Sequence, residues 1–305
     1  MIDTDKVLGT LLGAAVGDAL GMPVDGLSHQ NVRTYYRGVK GLHADAHRRD
    51  LGAGQWTAHT QRAAALTRAL VATSDPEAVA DAFAAELGAL DLRRSAPRFS
   101  GGPDGGAATA ASPLGLWWAA TDAADERAFD LVTNVLGVTH THPAALAAAF
   151  GQAFAVRTLL ASTPGDLDGV AFFRTVTEKT EWAEAKLGGA SPSPAARLRE
   201  IADHLGDFPL DLQDLCGGTG DRADEAWPFA VAMLARNPAL AEATILPAVN
   251  VGGAASVVGS LVGSLVGALH GGRALPADWR EELEDGARLE AGARALAEAF
   301  AAGPG

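Results

Sequence analysis

The chain has 305 residues, 48 % of them hydrophobic, with 24 basic against 37 acidic side chains and a formal net charge of −13. That length and apolar content exclude a disordered chain and allow a sizeable core, in one large domain or two modest ones. The acidic balance excludes nucleic acid as a bulk partner, which needs clustered Lys and Arg, and the lone Cys216 excludes an intrachain disulfide and a cysteine-based zinc cluster.

Helix signals recur along the chain while aromatic and β-branched strand runs are scarce, which predicts an all-α protein. Thr4 or Asp5 caps a first helix with apolar positions at Val7, Leu8, Leu11, Leu12, Ala15, Val16 and Ala19, and Gly21-Met22-Pro23 stops it. Residues 27–53 are rich in Gly, His and charge and have no clean period, so they read as irregular. Thr57 caps the next helix, and Asp75-Pro76-Glu77 starts another that ends near Leu92. A glycine-rich loop is expected from Arg98 to about Ser112, followed by a helix opened by Pro113. His142-Pro143 opens a long alanine-rich helix to about Leu160, and helices follow over 166–182 and 194–205. Residues 206–220 are again irregular; helices over 221–236, 238–249, 253–269 and 278–301 complete the chain. No Pro/Ser-rich linker divides it, so 1–305 reads as a single domain.

Residues 251–269 carry no charge, and Gly259, Gly263 and Gly267 sit four apart. In lipid that would be a helix-pairing face. The span is marginal for a bilayer and lacks basic anchors, so it reads as a buried helix packed through its glycines, with no membrane expected. The N-terminus carries no basic segment leading into an apolar one, and the single cysteine suits a reducing compartment. A cytoplasmic location is the expectation.

Five segments carry a resemblance. Gly54-Gln55-Trp56-Thr57-Ala58-His59-Thr60-Gln61 and Ala248-Val249-Asn250-Val251-Gly252-Gly253-Ala254-Ala255-Ser256-Val257 resemble the two metal-binding segments of the ADP-ribosylglycohydrolase family, G-x-W-T-D-D-T and A-V-N-x-G-G-D-x-D-T. Gly17-Asp18-Ala19-Leu20-Gly21-Met22-Pro23-Val24-Asp25 resembles the family's G-D-A-L-G-x-P-x-E, with Asp25 at the place of an acid on a mobile flap. Residues 106–115 resemble G-A-A-M-R-x-x-P-L-G, with Thr109 and Ala110 for its Met and Arg, and Thr139-His140-Thr141-His142-Pro143 resembles T-H-x-x-P. The resemblance spans about residues 7–271 and implies an orthogonal bundle of about a dozen helices that hydrolyses ADP-ribosyl linkages with two divalent cations.

The departures fall on the metal ligands. Ala58 and His59 replace the first acid pair, Ala254 and Ser256 the second, and Val257 the last threonine. Paired Mg²⁺ or Mn²⁺ need hard anionic oxygens, and adjacent dications without counter-charge repel at low dielectric. No dinuclear Mg or Mn site, and no other cofactor, is therefore expected. A zinc ion on His59, His140 and His142 is conceivable, but these histidines also suit helix capping and pocket lining, and no H-E-x-x-H spacing supports a metal.

What the resemblance implies for ligand binding falls on Gly105, Gly106 and His140, and Thr57, Gly252, Gly253 and Ser256 complete the candidate ligand-binding set. Glycine loops before helices present N–H groups to phosphate, although they equally serve turns and close helix contacts, and an inward-pointing Asp104 would repel a pyrophosphate. Trp117 and Trp118 read as core. The leading expectation is a catalytically inactive or impaired homologue that binds an ADP-ribosyl or nucleotide-like ligand, an ADP-ribosylated protein or another partner. The alternatives are a metal-independent glycosidase using His59 and Asp25, and a scaffold with an empty cleft.

Overall fold

In the computed structural model, residues 2–93 and 99–302 are described. Arg98, the expected start of the glycine-rich loop, lies outside them. Sixteen α-helices and no strand are found among the described residues, and the all-α expectation holds. The first helix, α1 (Thr4–Gly21), is capped by neither Thr4 nor Asp5 but by Asp3, whose side chain accepts from the Asp5 N–H at 2.9 Å. Residues 27–53 are less irregular than their composition suggests. They contain α2 (His29–Tyr36), which buries Val32 and is held by its Ser28 cap and by the His29 ring against the Asn250 carbonyl.

Next come α3 (Ala58–Ala72), capped by Thr57 as expected, α4 (Val79–Gly88), and α5 (Gly106–Ala110), which lies in what reads as loop. One element, α7 (Asp125–Gly137), is absent from the expected helices and lies between α6 (Ser112–Thr121) and α8 (Pro143–Leu160). Its apolar positions Ala128, Leu131, Val132, Val135 and Leu136 have helical spacing. Then come α9 (Gly169–Lys186) and α10 (Pro194–Ile201). α11 (Pro209–Leu215) shortens the second expected irregular stretch. α12 (Ala223–Arg236), α13 (Ala241–Asn250) and α14 (Ala255–His270) follow. The final expected helix is broken at 282–285 into α15 (Ala277–Glu281) and α16 (Gly286–Ala302), with Asp285 left-handed at the break.

The centre of the bundle is the antiparallel pair α1 and α14, both buried over nearly their whole length. Their glycines face each other as Gly9–Gly267, Gly13–Gly263 and Gly17–Gly259, with Gly21 against Ala255. A Cβ added at any of these four α1 positions would fall 1.8 to 2.4 Å from a carbonyl oxygen of α14 or, for Gly9, of its last turn. The glycines at four-residue spacing in 251–269 are thus one half of a buried helix seam; Gly9, Gly13, Gly17 and Gly21 are the other. Two helical spans, Thr4–Val24 and Pro143–Leu160, are long and apolar enough to cross a membrane, and both lie mostly inside the bundle. Trp118 is fully buried against Phe150 and Phe154, its indole N–H donating to the Ala123 carbonyl, and Trp117 is buried as well.

Candidate functional site

The seam delivers the site. Asp18, on α1 between Gly17 and Gly21, is wholly buried and receives four hydrogen bonds from the start of α3. These come from the N–H and hydroxyl of Thr57 (3.0 and 2.8 Å) and of Thr60 (3.1 and 2.7 Å). Burial pushes the Asp18 carboxyl up to about 6 against these four donors, which favour the charged form. One helix turn on, the Gly21 Cα approaches the backbone at Ala255 and Ser256. The α1 backbone therefore sets the starts of α3 and α14 side by side, and with them the two motifs that stand almost 200 residues apart in the chain.

At the start of α14 the chain reverses through Gly252 and Gly253, both at positive φ (84° and 69°). Their N–H groups are engaged inside the protein, Gly252 with the Val249 carbonyl at 3.2 Å and Gly253 with Leu27 at 2.8 Å. Ala254 N–H donates to the Thr219 carbonyl at 2.7 Å, and Ser256 N–H to Asp25 Oδ1 at 3.1 Å. This turn pins the 25–28 segment. It does not present those glycine donors outward as a phosphate cradle would. Asn250 is likewise structural: its amide bridges both backbone groups of Val39.

The glycine loop before α5 is closed in the same way. Gly105 N–H donates to the Asp221 carbonyl at 2.6 Å and Gly106 N–H to Asp104 Oδ1 at 3.0 Å. Asp104 does point inward. It also accepts from His140 Nε2 at 3.0 Å and from the Ser100 hydroxyl. A Cβ on Gly106 would lie 2.9 Å from both Asp104 Oδ1 and His140 Nε2 and 3.3 Å from Arg62 Nη1, so only glycine lets these groups close up. Burial alone would raise the Asp104 carboxyl, but the hydrogen bond and charge of His140, with Ser100 and the Gly106 N–H, hold it well below the usual range.

Arg62, 3 % exposed and one turn beyond His59, brings a guanidinium into this cluster. Burial lowers its pKa and the neighbouring Asp104 charge opposes that. Arg62 is not among the residues the sequence motifs single out; the available signal is its i+3 spacing from His59 on a capped helix.

His59 is partly buried, with Nδ1 3.1 Å from Thr109 Oγ1. The Thr109 hydroxyl gives its one hydrogen to the Gly106 carbonyl at 2.8 Å, so His59 Nδ1–H must be the donor and Nε2 carries the lone pair. Burial first, and the Arg62 charge next, lower its pKa to about 3, so the ring is neutral at ordinary pH. The three-histidine arrangement is not formed. Both His140 nitrogens are engaged, by Thr139 at 2.8 Å and by Asp104, and His142 Nδ1 caps α8 by accepting from the Ala144 N–H. Among the described residues no three His, Cys, Asp or Glu side chains gather in a metal-holding group. Ala58, Ala254 and Val257 offer no side-chain oxygen, and Val257 packs its methyl close to Gly105, 3.3 Å from where a Cβ there would stand. These residues do not fit a pair of divalent cations.

Thr57, His59, Gly105, Gly106, His140, Gly252, Gly253, Ser256 and Asp25 are thus linked through Asp18, Gly21, Arg62 and Val257 into one region at the seam's end. A family profile described as ADP-ribosylglycohydrolase matches residues 2–304. The chain belongs to the ADP-ribosylglycohydrolase family. A relative from Archaeoglobus fulgidus, an uncharacterised protein, is 28 % identical over 94 % of each chain. A solved structure titled ADP-ribosylglycohydrolase-related protein complex superposes with a TM-score of 0.71 at 24 % identity, covering 97 % of this chain and 98 % of that one, which shows the shared fold.

Proposed function

We propose that this family member works without a cation pair and binds an ADP-ribosyl or nucleotide-like ligand, free or on a modified protein, in place of cleaving it with metals. The observation that carries this reading is the neutral His59, hydrogen-bonded through Nδ1–H to Thr109 at a position where the family pattern has an acid. A cation pair needs several anionic oxygens at short range, and one imidazole beside Ala58 supplies none. His59 Nε2 is an acceptor suited to a sugar hydroxyl. The glycine N–H groups are engaged internally, so recognition rests on side chains.

A metal-independent hydrolase is disfavoured by the same residue. A general base works best when its pKa lies near the working pH, and a ring held at about 3 is a weak one. Asp25 is occupied with the Ser256 N–H. Calorimetry with ADP-ribose in chelator tests the binder; His59→Ala should weaken binding about tenfold, the worth of one good hydrogen bond. No heat at millimolar ligand would leave a scaffold with an empty cleft. Release of ADP-ribose from modified arginine or serine peptides, with or without Mg²⁺, would instead establish a hydrolase.

A further inference from the structure

A cavity of about 300 Å³ lies between α1, α3, α16 and the segment after α4, and its lining includes none of His59, Gly106 and His140. Its floor is made of small and aliphatic side chains, among them Leu11, Ala14, Ala15, Ala63, Ala64 and Leu289. The polar residues in the wall are already satisfied. Trp56 Nε1–H donates to the Glu284 carbonyl at 2.9 Å, and the Thr67 hydroxyl donates to Ala63 at 2.8 Å. Gln61 is bonded at both ends, to the Asp91 carbonyl and from the Arg93 N–H. The interior therefore suits an apolar body of the size that small-molecule pockets hold.

Three guanidiniums stand in the wall of the same cavity: Arg68, Arg93 and Arg288. Arg68 Nε donates to Glu86 at 2.6 Å. Arg93 lies 4.3 Å from the Trp56 ring centroid and uses one terminal nitrogen for the Trp56 carbonyl and for Glu284. Arg288 makes no ion pair among the described residues, and the one carboxylate in the lining is Asp285. A guanidinium carries five N–H donors and no acceptor, so donors exceed acceptors here even after the two pairs are counted. Glu86, Glu284 and Asp285 balance the three guanidinium charges, so what the apolar hollow offers an anion is Arg288, without an ion pair among the described residues, and the unused N–H groups of Arg68 and Arg93.

We propose that this cavity is a second binding site, for a small amphipathic anion: a carboxylate on an aromatic or short aliphatic body, with the body on the alanine floor and the head on Arg288 and the spare donors of Arg68 and Arg93. Thr60 lines the cavity and also holds Asp18, so an occupant braces the start of the helix that carries His59.

The test is thermal stabilisation and calorimetry with benzoate, its neutral counterpart benzyl alcohol, and acetate. Wild type should bind benzoate saturably, and about tenfold more tightly than either comparison compound, since charge-assisted pairing and the apolar body must both contribute. Ala64→Phe, which fills the hollow, should abolish binding. Arg288→Glu, at an exposed position tolerant of substitution, should weaken benzoate about tenfold while sparing benzyl alcohol, and it serves alone if Ala64→Phe does not fold. Absence of saturable benzoate binding to wild type overturns the proposal. So does equal affinity for benzyl alcohol, or unchanged binding in folded Ala64→Phe or in Arg288→Glu.

Discussion

Replacing Gly17 by alanine puts one methyl group where the two central helices touch. Its Cβ would stand 1.8 Å from the Gly259 carbonyl oxygen and 2.4 Å from the carbonyl carbon. Carbon–oxygen contacts settle at about 3.3 Å or more, so α14 must retreat by more than ~1 Å. Neither helix can yield locally, because the obstruction is backbone. A gap of that size forfeits about a quarter to a half of each dispersion contact along the seam. Overpacking of a filled core costs about 1–3 kcal/mol, and rigid backbone puts Gly17→Ala at the upper end, near 3 kcal/mol. Better helix propensity returns about 1 kcal/mol, leaving a net loss of about 2 kcal/mol. Urea unfolding with an unchanged m-value reads this directly. Gly292→Ala is the control: it sits inside α16 with nothing within 4 Å of the added carbon, so it should gain about 0.5–1 kcal/mol. Equal stability of Gly17→Ala and wild type, or shifts of one sign for both variants, would refute the close seam.

Further outcomes follow from the site. Native His59 takes up a proton only near pH 3, whereas the unfolded ring does so near 6.5, so its contribution makes the protein less stable as pH falls through that window. Native Asp18 holds its proton up to about 6 against 3.8 unfolded, so its contribution rises as pH falls from 6 to 3.8 and is absent above 6. Stability measured by urea titration at pH 4 to 7 should therefore fall less steeply toward acid in His59→Gln and more steeply in Asp18→Asn; unchanged slopes would remove both assignments. Asp104→Ala should cost about 2 kcal/mol by leaving His140 without its carboxylate close to the buried Arg62 charge, and sulfate should restore its melting temperature more than it raises that of wild type. Equal sulfate effects would show that no anion site opens there. The combination of Ala58→Asp, His59→Asp, Ala254→Asp and Ser256→Asp should create divalent-cation affinity in calorimetry and lower stability in chelator, because four carboxylates then crowd one site. Tight binding of two Mg²⁺ or Mn²⁺ by the unchanged protein would contradict the metal-free reading.

The family, the all-α class and the main helix starts were legible in the chain itself, because their signals are local. Caps such as Thr57 and His142, and runs with helical period, act within about four residues. The five motif frames were also legible, and with them the loss of acids at Ala58, His59, Ala254 and Ser256. Tertiary structure decided the rest, since it concerned groups far apart in sequence whose pairing only packing determines. Short helices α2 and α11 each bury a single side chain, Val32 and Leu212, and are held by neighbours. The glycines of α14 acquired meaning only against Gly9, Gly13 and Gly17. Gly252 and Gly253 looked like phosphate donors until the 25–28 segment took one of their hydrogens and the C-terminal turn of α13 the other. Arg62, an ordinary helix residue in the sequence, became a buried cation beside Asp104 and His140 because Gly106 leaves room for all three.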